Sequence, residues 1–303
     1  MISEAVAQAI KKFVPEDNIR LQEPMAGHTT FRIGGPADCF VQLENEEQLR
    51  GLQHYLNQVG LQWFVLGNGS NLLVSDKGFA GVVLQIGQKM RDITVTGCRI
   101  TAQAGATLAQ VARTAMEHGL TGLEFASGIP GTVGGGVVMN AGAYGGEMSQ
   151  VVERVVVVDR DGEHMELDND TMGFGYRNST IRNNPFIVTE VVFRLKQGER
   201  EEIRAAMEEL AARRREKQPL EFPSAGSTFK RPEGYYAGKL IMDAGLRGFQ
   251  VGGARVSDKH CGFVINTGGA TAEDVRTLIQ TVQKQVKEQF HVRLETEVVF
   301  LGD

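Results

Sequence analysis

Two glycine-rich loops carry the residues with the clearest chemical potential. The first, Gly67-Asn68-Gly69-Ser70-Asn71, offers consecutive backbone N–H groups and the polar side chains of a serine and an asparagine. This composition is typical of backbone concavities that bind anions. The second runs over Ser127–Gly135, where Pro130 fixes φ while the glycines let a ligand approach the backbone. Either loop alone could equally be a tight turn, but the two together favour a bound ligand, such as a pyrophosphate held from two sides.

Neither loop is a standard nucleotide-binding motif. A dinucleotide fingerprint requires GxGxxG after a strand, and Leu72 and Met139 stand where the last glycine of the two candidate matches belongs. A P-loop requires GxxxxGK[ST], whereas Gly234–Leu240 has one residue too few between its glycines and ends in leucine. The sequence therefore supports neither a Rossmann domain nor a P-loop nucleotide hydrolase.

The composition is that of a folded protein without membrane spans. Glycine accounts for 37 of 303 residues, well above the roughly 7% average, and is clustered rather than repeated. The net charge of −5 argues against nucleic acid or an anionic membrane as a partner. Apolar runs are strand-sized and the N-terminus lacks a signal-peptide core, which predicts a cytoplasmic location. Since the cysteines form no CxxC pair and the histidines no HExxH motif, we expect no metal site and no disulfide framework.

The elements before residue 199 are mostly short strands. Capped helices are predicted at Asn45–Gly60 and from Thr107 to Gly119, and a hairpin is predicted over residues 93–104. Because the strands are not separated by regular helices, we expect an α+β fold rather than a doubly wound parallel sheet.

The elements after residue 199 begin with a charged helix at 201–217, which directs Ile203, Met207 and Leu210 inward. Its basic run, Arg213-Arg214-Arg215, is interpreted as a solvated helix end, with an anion site as the alternative. Thr271 caps a long apolar-faced helix, and Val292–Leu301 is predicted to be the closing strand.

The motifs around the glycine loops continue along essentially the whole chain, and with them the sequence resembles the UDP-N-acetylenolpyruvoylglucosamine reductases of peptidoglycan precursor synthesis. The glycine loops alone would indicate only the wider flavin fold of vanillyl-alcohol-type oxidases, whereas the Tyr-Arg, Gly-Ser and terminal Glu motifs are specific to the reductases. The matching motifs are His28–Ala37, Gly67–Leu73, Ile129–Gly135, Asn140–Gly145, Gly175–Ser179, Ser224–Pro232, Ala244–Gly248 and Leu294–Val298.

The resemblance implies a two-part FAD-binding region of the vanillyl-alcohol-oxidase-like type, at 1–86 and 87–198, followed by an α+β substrate-binding domain at 199–303. The final strand is a candidate to return to the FAD region. The family's chemistry implies noncovalent FAD, NADPH as reductant, and a UDP-sugar enolpyruvyl ether that is reduced to the lactyl ether, without an obligatory protein partner. The direct passage from Tyr176 into the later strands resembles the shorter type of the family, which lacks an inserted tyrosine loop.

The resemblance assigns the cofactor to both glycine loops and to a short segment after them. The residues that we expect to bind FAD are Gly67, Asn68, Gly69, Ser70, Asn71, Leu72, Ser127, Gly128, Ile129, Pro130, Gly131, Val133, Gly134, Gly135, Asn140, Ala141 and Gly142.

Three residues match the family's catalytic positions. Arg177 would meet the developing enolate through its planar fork, and Ser227 would donate the proton. Glu297 would hold the substrate carboxylate, which requires a protonated or proton-sharing carboxyl because two bare carboxylates repel. By residue type alone, they could be a surface arginine, a turn serine and a strand glutamate, with Glu295 facing the same side.

A weaker set of matches concerns the rest of the substrate. Cations for the diphosphate and a histidine contact are expected from Lys217, Arg231, Arg247 and His260. Tyr144 and Tyr176 could pack on the nucleotide or the sugar, or could be core tyrosines. Relatives often carry arginine two residues after the terminal glutamate, where this chain has Val299.

Two other functions share parts of this pattern. An FAD-dependent carbohydrate or lactone oxidase of the same fold often attaches its flavin through a histidine in the first loop, and Gly67–Asn71 contains none. A non-catalytic flavin-binding protein would keep the glycine loops without needing Arg177, Ser227 and Glu297 together. Mixing with NADPH under anaerobic conditions distinguishes all three functions.

Overall fold

The computed structural model describes residues 2–302. They form two compact units that do not follow the order of the sequence. The first unit comprises residues 2–21, 39–68 and 81–214, and the second comprises 22–38, 69–80 and 215–302. Two segments from the N-terminal part of the chain thus belong with its C-terminal part, while the functional boundaries after residues 86 and 198 remain a proposal.

An antiparallel five-stranded sheet dominates the later part of the first unit. Its order is His164–Asp168, Val152–Val158, Ile187–Arg194, Arg99–Gln103, Ile93–Thr96. The predicted hairpin over 93–104 is confirmed, and it turns at Gly97, whose φ of +59° suits glycine. The sheet's inward valines and Phe193 are buried in one continuous apolar core.

A second sheet has the order Ile19–Pro24, Pro36–Leu43, Phe79–Ile86, Trp63–Leu66. Its last two strands are parallel, and Trp63–Leu66 leads directly into the first glycine loop. The helix Glu46–Gln58 begins as predicted, because the Asn45 side chain accepts a hydrogen bond from the Gln48 N–H at 2.9 Å.

The remaining elements of the first unit are short, apart from the charged helix. In that helix Ile203 is buried, Met207 packs against the core and Leu210 is half-buried, which bears out the predicted inward face. The helices are Glu4–Ile10, Glu46–Gln58, Leu108–Glu117, Val133–Val138, Thr180–Asn183 and Arg200–Lys217, of which the last helix belongs to this unit as far as Arg214. The short strand pairs are Leu120–Thr121 with Lys196–Gln197 and Gly142–Ala143 with Gly146–Glu147.

The second unit packs a small antiparallel sheet against a long helix. The sheet order is Ser224–Ser227, Phe263–Asn266, Ala254–Val256, Gln250–Val251. The long helix, Ala272–Phe290, carries the predicted Thr271 capping box, and its apolar face is buried with the shorter helix Ala237–Asp243.

The predicted closing strand Val292–Leu301 is wrong in length. Only Val299–Leu301 is a strand, and it pairs in parallel with Leu72–Val74 within the second unit. The residues before it make an isolated bridge between Thr296 and Phe229 instead. His291, at φ +59°, ends the long helix in a left-handed turn, so regular extended pairing begins only later.

No helix within residues 2–302 is long and apolar enough to cross a membrane.

Candidate active site

The structure brings the start of the first glycine loop against the second loop, within the first unit. The Asn68 side-chain amide donates to the Pro130 carbonyl at 3.2 Å. At Gly67 an added Cβ would lie 2.4 Å from the Thr132 hydroxyl, so only glycine leaves room for the Thr132 side chain against the first loop. Gly67 and Asn68 of the first loop therefore lie against the second loop, while the pyrophosphate held between them stays a prediction.

Several backbone N–H groups of the second loop donate hydrogen bonds within the protein. The N–H groups of Val133 and Gly134 donate to the carbonyls of Ala106 and Ala104 at 2.8 and 2.9 Å. Those of Ile129 and Gly135 are likewise satisfied within the first unit, by the Ala126 carbonyl and the Thr132 hydroxyl. These four residues can offer a ligand backbone surface but no N–H donor.

The free donors of the second loop are fewer than the sequence suggests. Within residues 2–302, the N–H groups of Gly131 and Thr132 donate no hydrogen bond. They follow Pro130, whose carbonyl receives the Asn68 amide. Unused backbone donors at a junction of two loops suit a phosphate oxygen, and we find them here rather than at the glycines that follow.

The Asn140 side chain forms hydrogen bonds within the protein and does not face solvent. Its side chain is 1% exposed, and its amide nitrogen donates to the Gly175 carbonyl at 3.0 Å while its oxygen accepts from the Ser149 N–H at 2.9 Å. Both ends of the amide are therefore engaged with the chain. What Asn140 can offer a cofactor is restricted to its backbone.

Arg177 lies on a tight turn that this network holds. Gly175 and Asn178 exchange backbone hydrogen bonds of 3.0 and 3.2 Å around it, and Arg177 adopts φ +54°. A non-glycine residue in this region costs of order 1–3 kcal/mol, a strain that clusters at functional sites. Its guanidinium donates to the Gly142 carbonyl at 3.1 Å and lies 5.0 Å from the centre of the Tyr176 ring.

The two tyrosines near Arg177 are not core residues, so that alternative is wrong. Tyr144 is 43% exposed and Tyr176 is 51% exposed. Tyr144 and Gly145 both have positive φ and form the turn of a short hairpin. Both aromatic rings are therefore accessible to a ligand.

Ser227 and Glu297 lie on adjacent backbone segments of the second unit. Ser227 is exposed and ends its strand. The residue after it, Thr228, accepts a hydrogen bond of 2.9 Å at its carbonyl from the Glu297 N–H. Gly226, at φ +74°, leaves open space where a side chain would be. Two of the three predicted catalytic residues, distant in sequence, are thus brought together.

Two neighbours fix this pair, and sequence reasoning missed the contribution of both. Asn71, predicted to bind the cofactor, donates its amide to the Glu297 carbonyl at 3.0 Å. Thr228 is 1% exposed, and its hydroxyl accepts from the Val264 N–H at 3.0 Å. Neither the burial of the Thr228 hydroxyl nor its partner could be read from the sequence.

Glu295 differs from Glu297 in its surroundings. Its side chain is exposed and forms an ion pair with Lys230 at 3.3 Å, whereas Glu297 is half-buried. The structure therefore favours Glu297 as the carboxyl that can face a bound molecule.

The four residues expected to contact the rest of the substrate all belong to the second unit. Lys217 and Arg247 are exposed, while Arg231 is 4.1 Å from the centre of the Tyr236 ring. Burial lowers the pKa of His260, and its Nδ1 accepts from the Gly262 N–H at 3.1 Å. The neutral ring therefore carries its proton on Nε2, where it can donate to a ligand.

No group of three or more His, Cys, Asp or Glu side chains within residues 2–302 could hold a metal ion. None of the three cysteines, Cys39, Cys98 and Cys261, is in a disulfide bond. Burial raises the pKa of the Cys261 thiol, and the nearby Arg247 guanidinium opposes that shift.

Two family models match the chain, one in each part of the sequence. Residues 37–168 match an FAD binding domain, and residues 218–301 match the C-terminal domain of UDP-N-acetylenolpyruvoylglucosamine reductase. Together with the sheets described above, they confirm the predicted fold class.

Full-length relatives carry the same name. The UDP-N-acetylenolpyruvoylglucosamine reductase of Caldanaerobacter subterraneus subsp. tengcongensis is 51% identical, with 100% of both chains covered. That of Clostridium perfringens is 50% identical over 96% of this chain and 95% of its own.

Solved structures agree with these matches. The reductase of Thermus caldophilus superposes with a TM-score of 0.80 at 36% identity, covering 93% of this chain and 98% of its own. An alkyldihydroxyacetonephosphate synthase matches with a TM-score of 0.50 at 15% identity, over 65% of this chain and 41% of its own, which shows the fold alone. Because 51% identity extends over the whole length, the chain belongs to the UDP-N-acetylenolpyruvoylglucosamine reductases, FAD-dependent oxidoreductases of peptidoglycan precursor synthesis.

Proposed function

We propose that this chain uses NADPH and noncovalently bound FAD to reduce UDP-N-acetylglucosamine enolpyruvate to UDP-N-acetylmuramate. The observation that carries the proposal is that Ser227 and Glu297 lie on adjacent backbone segments, which are joined by a hydrogen bond of 2.9 Å from the Glu297 N–H to the Thr228 carbonyl. A flavin-binding protein without this reaction needs neither residue. The oxidase alternative is not favoured, since the full-length relatives are reductases.

The residues present fit the implied flavin. Gly67 permits the close approach of the two loops, and the N–H groups of Gly131 and Thr132 are unused within residues 2–302. The family's fold would place the pyrophosphate of FAD at these loops, and FAD, when bound, supplies the hydride carrier.

The protein's own task is to hold the substrate and move one proton. Reduction of the enol ether adds hydride to the terminal carbon and places negative charge on the neighbouring carbon and its carboxylate. Arg177 is suited to stabilise that charge because a guanidinium binds a planar anion through two parallel hydrogen bonds. The Gly142 carbonyl, which accepts one hydrogen bond from this guanidinium, is neutral and can be exchanged for an anion.

Ser227 would complete the addition by protonating the carbon that bears the charge. A free hydroxyl is a weak acid, so its proton must be delivered in the transition state, as the carbanion develops. Glu297 would hold the substrate carboxylate through its own or a shared proton. Asn71 and Thr228 fix the backbone on which this pair depends.

The absorbance spectrum of the purified protein tests the proposal. We expect a yellow protein that NADPH bleaches without oxygen and that the enolpyruvyl sugar nucleotide, but not UDP-N-acetylglucosamine, recolours. Acid precipitation should then release the flavin into the supernatant. Colour retained in the pellet would favour the oxidase alternative, and a protein that NADPH does not bleach would be a flavin binder without this activity.

The proposed diphosphate contacts lead to a second expectation. Lys217→Ala or Arg247→Ala should raise the KM for the sugar nucleotide about tenfold or more and change kcat little. A contact far from the reacting carbon stabilises the bound substrate and the transition state equally. Steady-state kinetics measure this.

Lys284→Ala is the matched control, because Lys284 is an exposed cation on the long helix of the same unit. It should leave both constants unchanged. A large loss of kcat at constant KM in either variant would contradict the placement of Lys217 or Arg247 at the diphosphate.

A further inference from the structure

The three arginines of the basic run have different environments. Arg213 is exposed and pairs with Glu209 one turn earlier, as expected for a solvated helix end. Arg215 is also exposed. Arg214, in contrast, is half-buried, so the interpretation of the run as a solvated helix end is wrong for this residue, which is the last of the first unit.

Arg214 lies against Gly128, in the second glycine loop. If Gly128 carried a Cβ, that atom would be 3.1 Å from Arg214 Cδ and 3.2 Å from its Nη1. The absence of a side chain at Gly128 therefore makes room for the guanidinium. Gly128 begins the stretch in which the N–H groups of Gly131 and Thr132 are unused.

Among the described residues, the Arg214 guanidinium has no counter-ion. Within residues 2–302 it makes no hydrogen bond or ion pair with a carboxylate. Burial lowers the pKa of Arg214, and the neighbouring Tyr144 opposes this. An arginine stays charged even so, and a partly desolvated charge without a partner is costly. An anion bound to the guanidinium would offset this desolvation cost.

We propose that Arg214 is the counter-cation of a diphosphate that binds against Ser127–Thr132. A diphosphate presents several anionic oxygens, which match both the guanidinium fork and the free N–H groups of the loop. The proposal rests on the proposed function, which supplies two such groups: the pyrophosphate of FAD and the diphosphate of the UDP-sugar.

Binding measurements test the proposal without depending on turnover. The flavin-free protein is titrated with FAD, and with FMN, which lacks the pyrophosphate, by quenching of flavin fluorescence. The FAD-loaded protein is titrated with UDP-N-acetylglucosamine by calorimetry. The variants are Arg214→Gln, Arg214→Lys and, as the exposed matched control, Arg213→Gln.

Arg214→Gln should weaken one diphosphate ligand about 10- to 100-fold, as expected for charge-assisted hydrogen bonds. A loss for FAD with FMN unchanged assigns the flavin pyrophosphate, and a loss for the UDP-sugar assigns the nucleotide diphosphate. The affinity of Arg214→Lys should lie between those of wild type and Arg214→Gln, and the affinity of Arg213→Gln should stay within twofold of wild type. Unchanged affinity for both ligands in Arg214→Gln overturns the proposal, whereas a wild-type protein that binds FAD but is not bleached by NADPH overturns only the proposed function.

A double-mutant cycle guards against a merely unfolded variant. Gly128→Ala would force the Arg214 side chain to shift by a few tenths of an ångström, so it should weaken the same ligand as Arg214→Gln does, to a smaller extent. In the Arg214→Gln background, the effect of Gly128→Ala should disappear. If the two effects instead add, Gly128 does not act through Arg214 and the proposal fails, even if each variant binds weakly.

Discussion

Ser227→Ala is expected to leave flavin reduction by NADPH near the wild-type rate while reoxidation by the enolpyruvyl substrate slows about 10²- to 10⁴-fold, the usual range for general acid catalysis. Flavin reduction requires no proton at the substrate carbon, whereas the second half-reaction does. Substrate affinity should change little, because the hydroxyl acts mainly in the transition state.

Stopped-flow absorbance of the flavin follows each half-reaction separately. Ser224→Ala is the control, since Ser224 begins the same strand and its carbonyl, not its hydroxyl, accepts from Thr30. Equal slowing of both half-reactions in Ser227→Ala would mean that Ser227 supports the flavin or the fold. If neither slows, the proton comes from another group.

Arg177→Lys should lower kcat about 10²- to 10³-fold, the loss seen when one donor to a developing oxyanion is removed. Lysine keeps the positive charge but loses the planar fork. Because any side chain at this position has the same positive φ, the backbone strain is similar in both proteins. The difference in rate therefore reports on the guanidinium.

A loss of kcat caused only by a disturbed turn must be distinguished from a catalytic loss by a separate measurement of stability. Arg182→Lys is the matched control, because Arg182 donates to the Arg177 carbonyl at 2.9 Å and so supports the turn from its exposed side. We expect it to change thermal stability slightly and kcat less than fivefold. An Arg177→Lys protein that loses stability and FAD content but keeps its kcat would falsify the catalytic role.

Elements defined by local signals could be predicted from the sequence. The long helix begins at the Thr271 capping box, and the hairpin at 93–104 turns at a glycine, because caps and turns depend on neighbours within a few residues. The closing strand could not be predicted in its true length, since its partner Leu72–Val74 is distant in sequence.

The roles of individual side chains were harder to predict than the helices and turns, because they depend on partners that are distant in sequence. Asparagines such as Asn140 and Asn71 often bind ligands, yet in the structure their side-chain amides donate to the carbonyls of Gly175 and Glu297. The same limit applies to Arg214, which no local pattern separates from Arg213. Residue type indicated the chemistry, while the identity of the partner required the fold.

The parallel pairing of Val299–Leu301 with Leu72–Val74 also has a consequence for biosynthesis. On the ribosome, Leu72–Val74 emerges long before its partner strand exists, since chains grow from the N-terminus at about 5–20 residues per second. The second unit, with residues 22–38 and 69–80, must therefore wait for the end of the chain, and such non-local pairing is slow to form. Glu297, which lies just before that strand, is among the last residues to be positioned as the nascent protein matures.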